Sequence, residues 1–180
     1  MATFKELTDY FQRVGASDIG HTDKSYLAHG ISVRNDLIKW GCDEDVAVAG
    51  LFHSIYGTER FQGFVLPLSH RDEVRSLIGE RAEWLAWLNC AMDRGHFDGQ
   101  ASQNAGPYRI LDRFSGQEVE VSDADFEALC IIHLCDWLEQ VPRSKAWDYR
   151  PAAYRRLAER MGGIGLESFE RVYQQATTSE

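Results

Sequence analysis

At 180 residues, 44 % of them hydrophobic, the chain is long enough for one domain with a full core and too short for two. Its 28 acidic against 19 basic residues give a net charge of -9, which repels a nucleic-acid backbone over most of the surface and excludes a general DNA or RNA binder. No apolar run reaches the ~18 residues of a membrane span, and the N-terminus has no secretory signal pattern, so a soluble, cytoplasmic protein with no membrane partner is expected.

In chain order, Phe4, Leu7, Phe11 and Val14 recur at spacings of three and four and predict a helix over 3–14. A second helix is expected over 24–40 from Tyr26, Leu27, Ile31, Val33, Leu37 and Ile38, with Gly41 as its stop. Asp43 fits the N-cap of a third, which carries Val46, Val48, Leu51 and Phe52 and runs into His53 and Ser54. The stretch 57–70, with two glycines and a proline, reads as a long loop of the kind that is often functional. "RDEVRSLI" and "ERAEWLAWLNCAMDR" predict two helices broken at Gly79, and 95–106 reads as a second loop. Residues 108–121 alternate around "FSGQ" and predict a β-hairpin. Ser122 then caps a long helix expected to stop at Pro142, and two helices, about 151–161 and 166–176, flank "GGIG". The reading is one mainly all-α domain over 1–180 with one small hairpin. Cys42, Cys90, Cys130 and Cys135 are scattered in apolar runs and match neither a zinc knuckle nor a disulfide framework, so buried thiols are expected.

Three helices each bring one polar group into an apolar setting: His29 in "YLAHGISV", His53 in "AGLFHSIYG" and Asp136 in "IIHLCDWLEQ". Burying a carboxylate and two imidazoles is costly unless they pair or coordinate something. A divalent ion satisfies all three at once, and two imidazoles with one carboxylate are a common set for Mn, Fe or Zn.

The order of these motifs resembles the HD superfamily of metal-dependent phosphohydrolases. Within it the pattern is nearest to the alarmone hydrolase domains of the stringent response and to small HD-like families. "SYLAHGISV", "GCDEDVAVAGLFHS" and "RDEVRSLIGERAEWLAWL" carry the likeness, which covers about residues 20–142 and leaves 143–180 as a C-terminal helical extension. The resemblance implies an all-helical fold and an ion held by His29, His53, the residue after His53, and Asp136. The chain departs from the pattern at that third position, which is Ser54, and the paired acids of alarmone hydrolases are missing from "IYGTE", where Gly57 and Thr58 stand. Alarmone hydrolysis as such is therefore not expected.

What remains is a mononuclear set of His29, His53 and Asp136 with one divalent ion. Glu59, the nearest acid to the lost position, is a candidate general base or substitute ligand. His133, three residues before Asp136 on one helix face, is a candidate hydrogen-bonding or co-ligating group. His21, Ser54, Tyr56, Phe61 and Arg71 are the candidate substrate contacts, with Arg71 and Arg75 suited to an anionic group. Phe52, Phe64, Trp84, Trp87 and Trp137 read mostly as core, and His70 and His96 as loop residues on the surface. Three functions stay open: an HD-type hydrolase of a small phosphorylated or nucleotide-like molecule, an HD-type iron oxygenase or lyase, and a metal-free HD-like module that binds a ligand or a protein.

Overall fold

The first three α-helices each begin where the sequence supplies a side-chain cap. The computed structural model describes residues 2–16, 19–21 and 24–177. Helix α1 (Phe4–Arg13) opens with a capping box in which Thr3 and Glu6 satisfy each other's backbone N–H groups. Two short strands, β1 (Gly20–His21) and β2 (Lys24–Ser25), pair antiparallel just before α2 (Tyr26–Lys39). Ser25 caps α2 by accepting from the Ala28 N–H, and Asp43 caps α3 (Glu44–Phe52) through Val46. After a long loop, α4 (Arg71–Ile78) and α5 (Glu80–Ala91) break at Gly79, whose φ of 93° is open to glycine at no steric cost.

Helix α6 (Arg94–Ala101) corrects the expectation of a loop over 95–106. Its two glycines and polar residues mask a helical signal made of Asp93, which caps the His96 N–H at 2.8 Å, and of Phe97 and Ala101, four apart and both buried. Strands β3 (Tyr108–Asp112) and β4 (Gln117–Val121) form the expected hairpin, with Tyr108 opposite Val121 and Asp112 opposite Gln117. Helix α7 (Asp123–Ser144) starts at Ser122 as expected but continues past Pro142. Pro142 lies in the last turn, so the one backbone bond it removes, to the Leu138 carbonyl, falls at the end of the helix, and the turn closes at Lys145 in the left-handed conformation. Helix α8 (Pro151–Met161) is followed, after Gly162 alone, by α9 (Gly163–Thr177), so "GGIG" lies largely within α9.

Helix α7 is the central element. It packs against α2, α3, α5, α8 and α9 and buries, among others, Phe126, Leu129, Ile132, Leu134 and Val141. At roughly 1.5–3 kcal/mol for each fully buried large side chain, this stripe alone anchors the helix firmly. Helices α2 and α3 approach closely through glycines. A Cβ on Gly30 would stand 2.6 Å from the Leu51 carbonyl oxygen, and one on Gly50 would stand 2.2 Å from Leu37 Cδ1. That approach brings the residue beside Gly30, His29, to the end of α3. Cys90, Cys130 and Cys135 are buried thiols, whereas Cys42 is half-buried, and none of the four forms a disulfide. No helix among the described residues is long and apolar enough to cross a membrane.

Candidate metal centre

His29 lies in the first turn of α2, His53 is the C-cap of α3, and Asp136 lies midway along α7. The His53 carbonyl, left without a helical partner at the end of α3, accepts from Asn89 Nδ2 at 2.8 Å and the Cys90 thiol at 3.3 Å, so α5 fixes its position. His29 Nε2 stands 3.0 Å and His53 Nε2 3.3 Å from the same oxygen, Asp136 Oδ1, and the two imidazole rings meet edge to face with centroids 5.0 Å apart. One ligand atom from each residue lies within 4.8 Å of the others, and all three residues are buried. They form the one such group of His, Cys, Asp and Glu among the described residues.

The proton positions follow from the partners. His53 Nδ1 is 2.7 Å from the Gly50 carbonyl, which only accepts, so Nδ1 carries the proton and donates. His29 Nδ1 donates to Glu139 Oε2 at 2.5 Å. Each imidazole is thus oriented by a donation from its outer nitrogen, as metal-ligating histidines are, and turns Nε2 toward Asp136. Two neutral Nε2 lone pairs against a carboxylate oxygen repel one another, and the cluster needs a proton or a cation between them. Without an ion the proton resides on His29. Burial works against its imidazolium, but the hydrogen bonds to Asp136 and Glu139 prevail and raise its pKa to about 9. Burial likewise disfavours the Asp136 carboxylate, yet the neighbouring imidazoles of His53 and His29 hold its pKa well below the ordinary range. The donor set therefore fits a divalent ion: three donors converge, and protons occupy part of the space that a cation would neutralise.

Glu139 anchors this arrangement, and the sequence reading missed it. Its carboxylate also accepts from Lys24 Nζ at 2.7 Å and from Arg143 Nη2 at 2.6 Å. Burial raises its pKa, but the bonds from His29, Arg143 and Lys24 outweigh that and lower it to about 2. The usable signal was its spacing of three from Asp136, which puts both carboxylates on one face of α7. Gln140, one residue on, donates to Asp136 Oδ1 at 2.9 Å.

The cluster forms part of the wall of a cavity of ≈ 190 Å³. His53, Ser54, Phe61 and Asp136 line it together with Arg60, Arg94, Trp137, Gln140 and Tyr154. Ser54 Oγ donates to the Tyr26 hydroxyl at 3.1 Å, and Phe61 stacks on the Tyr26 ring at 5.4 Å. A wider, open cleft of ≈ 730 Å³ beside α1 contains none of the cluster residues, so size alone does not mark the site.

The other expected residues lie elsewhere. Glu59 is exposed and caps α6 by accepting the Arg94 backbone N–H at 2.9 Å. His133 is fully buried, with its ring against Phe97 and Tyr154 and Nε2 3.4 Å from Arg150 Nη1. Burial first, then Arg94 and Arg150, pushes its pKa far down, so it stays neutral. Tyr56 and Arg71 belong to a separate buried network on Glu83, to which Tyr56 Oη donates at 3.0 Å and Arg71 Nε at 2.7 Å. Arg75 and Asp125 share the open cleft beside that network with Arg71. The His21 side chain lies outside the described residues. His70 ends a short 3-10 turn (Leu68–His70), is half-buried like His96 and bonds to Glu73, while His96 sits in α6 and accepts the Leu111 N–H at 3.3 Å. Arg60 and Arg94 had no signal in the sequence, because only the tertiary fold brings a loop residue and the start of α6 to one cavity.

The comparison with curated proteins found no match. A family model described as a domain of unknown function (DUF6817) matches residues 10–94, a span that holds both histidines and ends before Asp136. Among solved structures, the chain is similar to a metazoan ortholog of SpoT that hydrolyzes ppGpp and plays a role in starvation responses. The two share 15 % identity with a TM-score of 0.57, and the likeness covers 97 % of each chain. The likeness over that length is one of helical fold.

Proposed function

We propose that the protein is a divergent HD-type hydrolase that uses one divalent ion, Mn, Fe or Zn, and acts on a small phosphorylated or nucleotide-like molecule. The observation that carries this reading is the convergence of His29 Nε2, His53 Nε2 and Asp136 on one buried point, with both outer nitrogens locked by Glu139 and the Gly50 carbonyl. The fold neighbour, described as hydrolyzing ppGpp, supports it. His29, His53 and Asp136 would hold the ion, which when bound supplies Lewis acidity and ionises water near neutral pH. Glu139 keeps the His29 proton on Nδ1, so that Nε2 faces the ion, while Gln140 orients the Asp136 carboxylate. Phe61, Trp137 and Tyr154 exclude bulk water from one side of the cavity, and Arg60 and Arg94 face it with positive charge.

The test is metal content by mass spectrometry for the untagged protein and for His53→Ala, followed by a phosphoester and nucleotide panel with the metal-replete protein. Near-stoichiometric metal lost in the variant, with phosphate released from a panel member, is the expected result. Metal in the protein with no hydrolysis anywhere on the panel would sink the reaction, and oxygen-dependent turnover of an iron form would replace it with the oxygenase reading. One observation favours a second reading, a metal-free binding module: the His29 imidazolium between two carboxylates satisfies the cluster without an ion, and Ser54 supplies no fourth ligand. Absence of metal after incubation with Mn, Fe and Zn would select it.

A further inference from the structure

We propose that Arg60 and Arg94 form an oxyanion subsite beside the His29, His53 and Asp136 cluster, and that the ligand of this cavity is a compact phosphate monoester rather than a nucleotide. Arg94 is only 7 % exposed. Its guanidinium donates to the Tyr149 hydroxyl at 3.1 Å and, among the described residues, has no carboxylate partner. The Arg60 guanidinium carbon lies 4.1 Å above the Tyr149 ring, again with no ion pair among the described residues. Arg150 approaches the same ring at 5.5 Å. Three cations thus gather on one phenol, and among the described residues the one side-chain carboxylate bonded to any of their guanidiniums is Asp98, which pairs with Arg150. Glu59 meets only the backbone of Arg94.

A buried guanidinium without a counterion is costly, and like charges at this spacing repel, so the arrangement is complete only with an anion. Tyr149 registers the same field. Burial works to raise its pKa, but Arg94 and Arg150 bring the net shift downward. Arg60 and Arg94 both line the cavity that Asp136 and His53 line, so an oxyanion bound by their forked N–H groups is adjacent to the cluster. Size narrows the ligand further. At ≈ 190 Å³ the cavity is smaller than the ~300–1,000 Å³ of clefts that enclose drug-sized molecules. A phosphoryl group against the arginines leaves room for a small ester group against the stacked Trp137 and Tyr154 rings, whose centroids are 4.7 Å apart, and not for a base with its sugar.

As a statement about substrate this rests on the hydrolase reading, while the anion subsite is independent of it. Calorimetric titration of the protein as purified with inorganic phosphate, acetate and AMP, repeated with Arg60→Gln and Arg94→Gln, separates the two. Phosphate binding that weakens about tenfold or more in each variant, with acetate weaker than phosphate and AMP no tighter, is the expected result. Phosphate affinity unchanged in Arg60→Gln overturns the subsite; that residue is exposed, so its variant keeps the fold even where Arg94→Gln fails to by circular dichroism. AMP binding tenfold tighter than phosphate overturns the size argument. A protein without metal whose phosphate binding still depends on both arginines upholds the subsite and removes the hydrolase reading. A metal-loaded protein indifferent to both substitutions does the reverse.

Discussion

Glu139→Gln tests whether the cluster was built to hold an ion. The side chain is 5 % exposed and accepts from His29 at 2.5 Å, Lys24 at 2.7 Å and Arg143 at 2.6 Å. Glutamine preserves the shape and leaves one oxygen for His29 Nδ1, but removes the charge that Lys24 and Arg143 neutralise. Breaking a buried ion pair from one side costs about 3–5 kcal/mol, and Lys24 and Arg143, 35 % and 21 % exposed, recover part of that from water. A loss of about 2 kcal/mol in the metal-free protein is expected, read as a lower urea midpoint. Outer partners of ligating histidines typically contribute 10–100-fold to affinity, so Zn²⁺ binding measured by competition with a chromophoric chelator should weaken by roughly 1.4–2.7 kcal/mol. A variant with the wild-type midpoint and wild-type Zn²⁺ affinity would refute the role assigned to Glu139 and the proton placement with it.

The pH dependence of the metal-free protein follows from two groups. The pKa of His29 is raised from 6.5 to about 9, so its contribution is complete below pH 6.5 and is lost as pH rises through 9. That of Glu139 is lowered from 4.5 to about 2, so its contribution is present above pH 4.5 and is lost as pH falls through 2. Stability should therefore be flat between about pH 4.5 and 6.5 and drop by up to roughly 3 kcal/mol on the alkaline side; equal urea midpoints at pH 6 and 9.5 would contradict it. Ser54, 2 % exposed, lines the same cavity as Asp136, so Ser54→Asp buries a second carboxylate there; the metal-free variant should lose several kcal/mol, about 3 or more, with Zn²⁺ or Mn²⁺ restoring its melting temperature. A variant that melts like wild type and ignores metal would place position 54 outside the ion's reach. Gly30→Ala drives a Cβ to 2.6 Å from the Leu51 carbonyl, which should cost about 1–3 kcal/mol and weaken metal binding by separating α2 from α3. Gly99→Ala, in α6 with open space around its Cβ, is the control expected to raise stability by about 0.5–1 kcal/mol and to leave metal binding unchanged.

The helical frame was legible because periodicity and start signals agree: Asp43 and Ser122 cap where the sequence predicts, and Thr3 and Ser25 cap close to the helix starts that the apolar spacing alone places. It failed at α6, where Gly95 and Gly99 suggest a loop and only Phe97 and Ala101 reveal a buried face, and at Pro142, which the last turn of α7 accommodates. Of the site, the residues found together were those whose polarity contradicts an apolar run: His29, His53 and Asp136. Glu139 was hidden because an acid near a helix end resembles a solvated one. Tyr56 and Arg71 looked like neighbours of His53 in sequence, but Glu83 draws both into another buried network. Arg60 and Arg94 carry no local pattern at all, since what sets them apart is that no carboxylate among the described residues pairs with them, and that is a property of the folded state.

The contact between His29 and Asp136 spans 107 positions along the chain, whereas α2 and α3 are joined by a short turn and dock through glycines. Local pairs close early and distant ones late, and a chain on the ribosome emerges from its N-terminus. The two imidazoles are thus synthesised, and can be packed against each other, before the carboxylate that joins them exists. Completion of the cluster waits for α7 to dock, which makes the His29 to Asp136 contact a marker for long-range assembly rather than for the first helix pair.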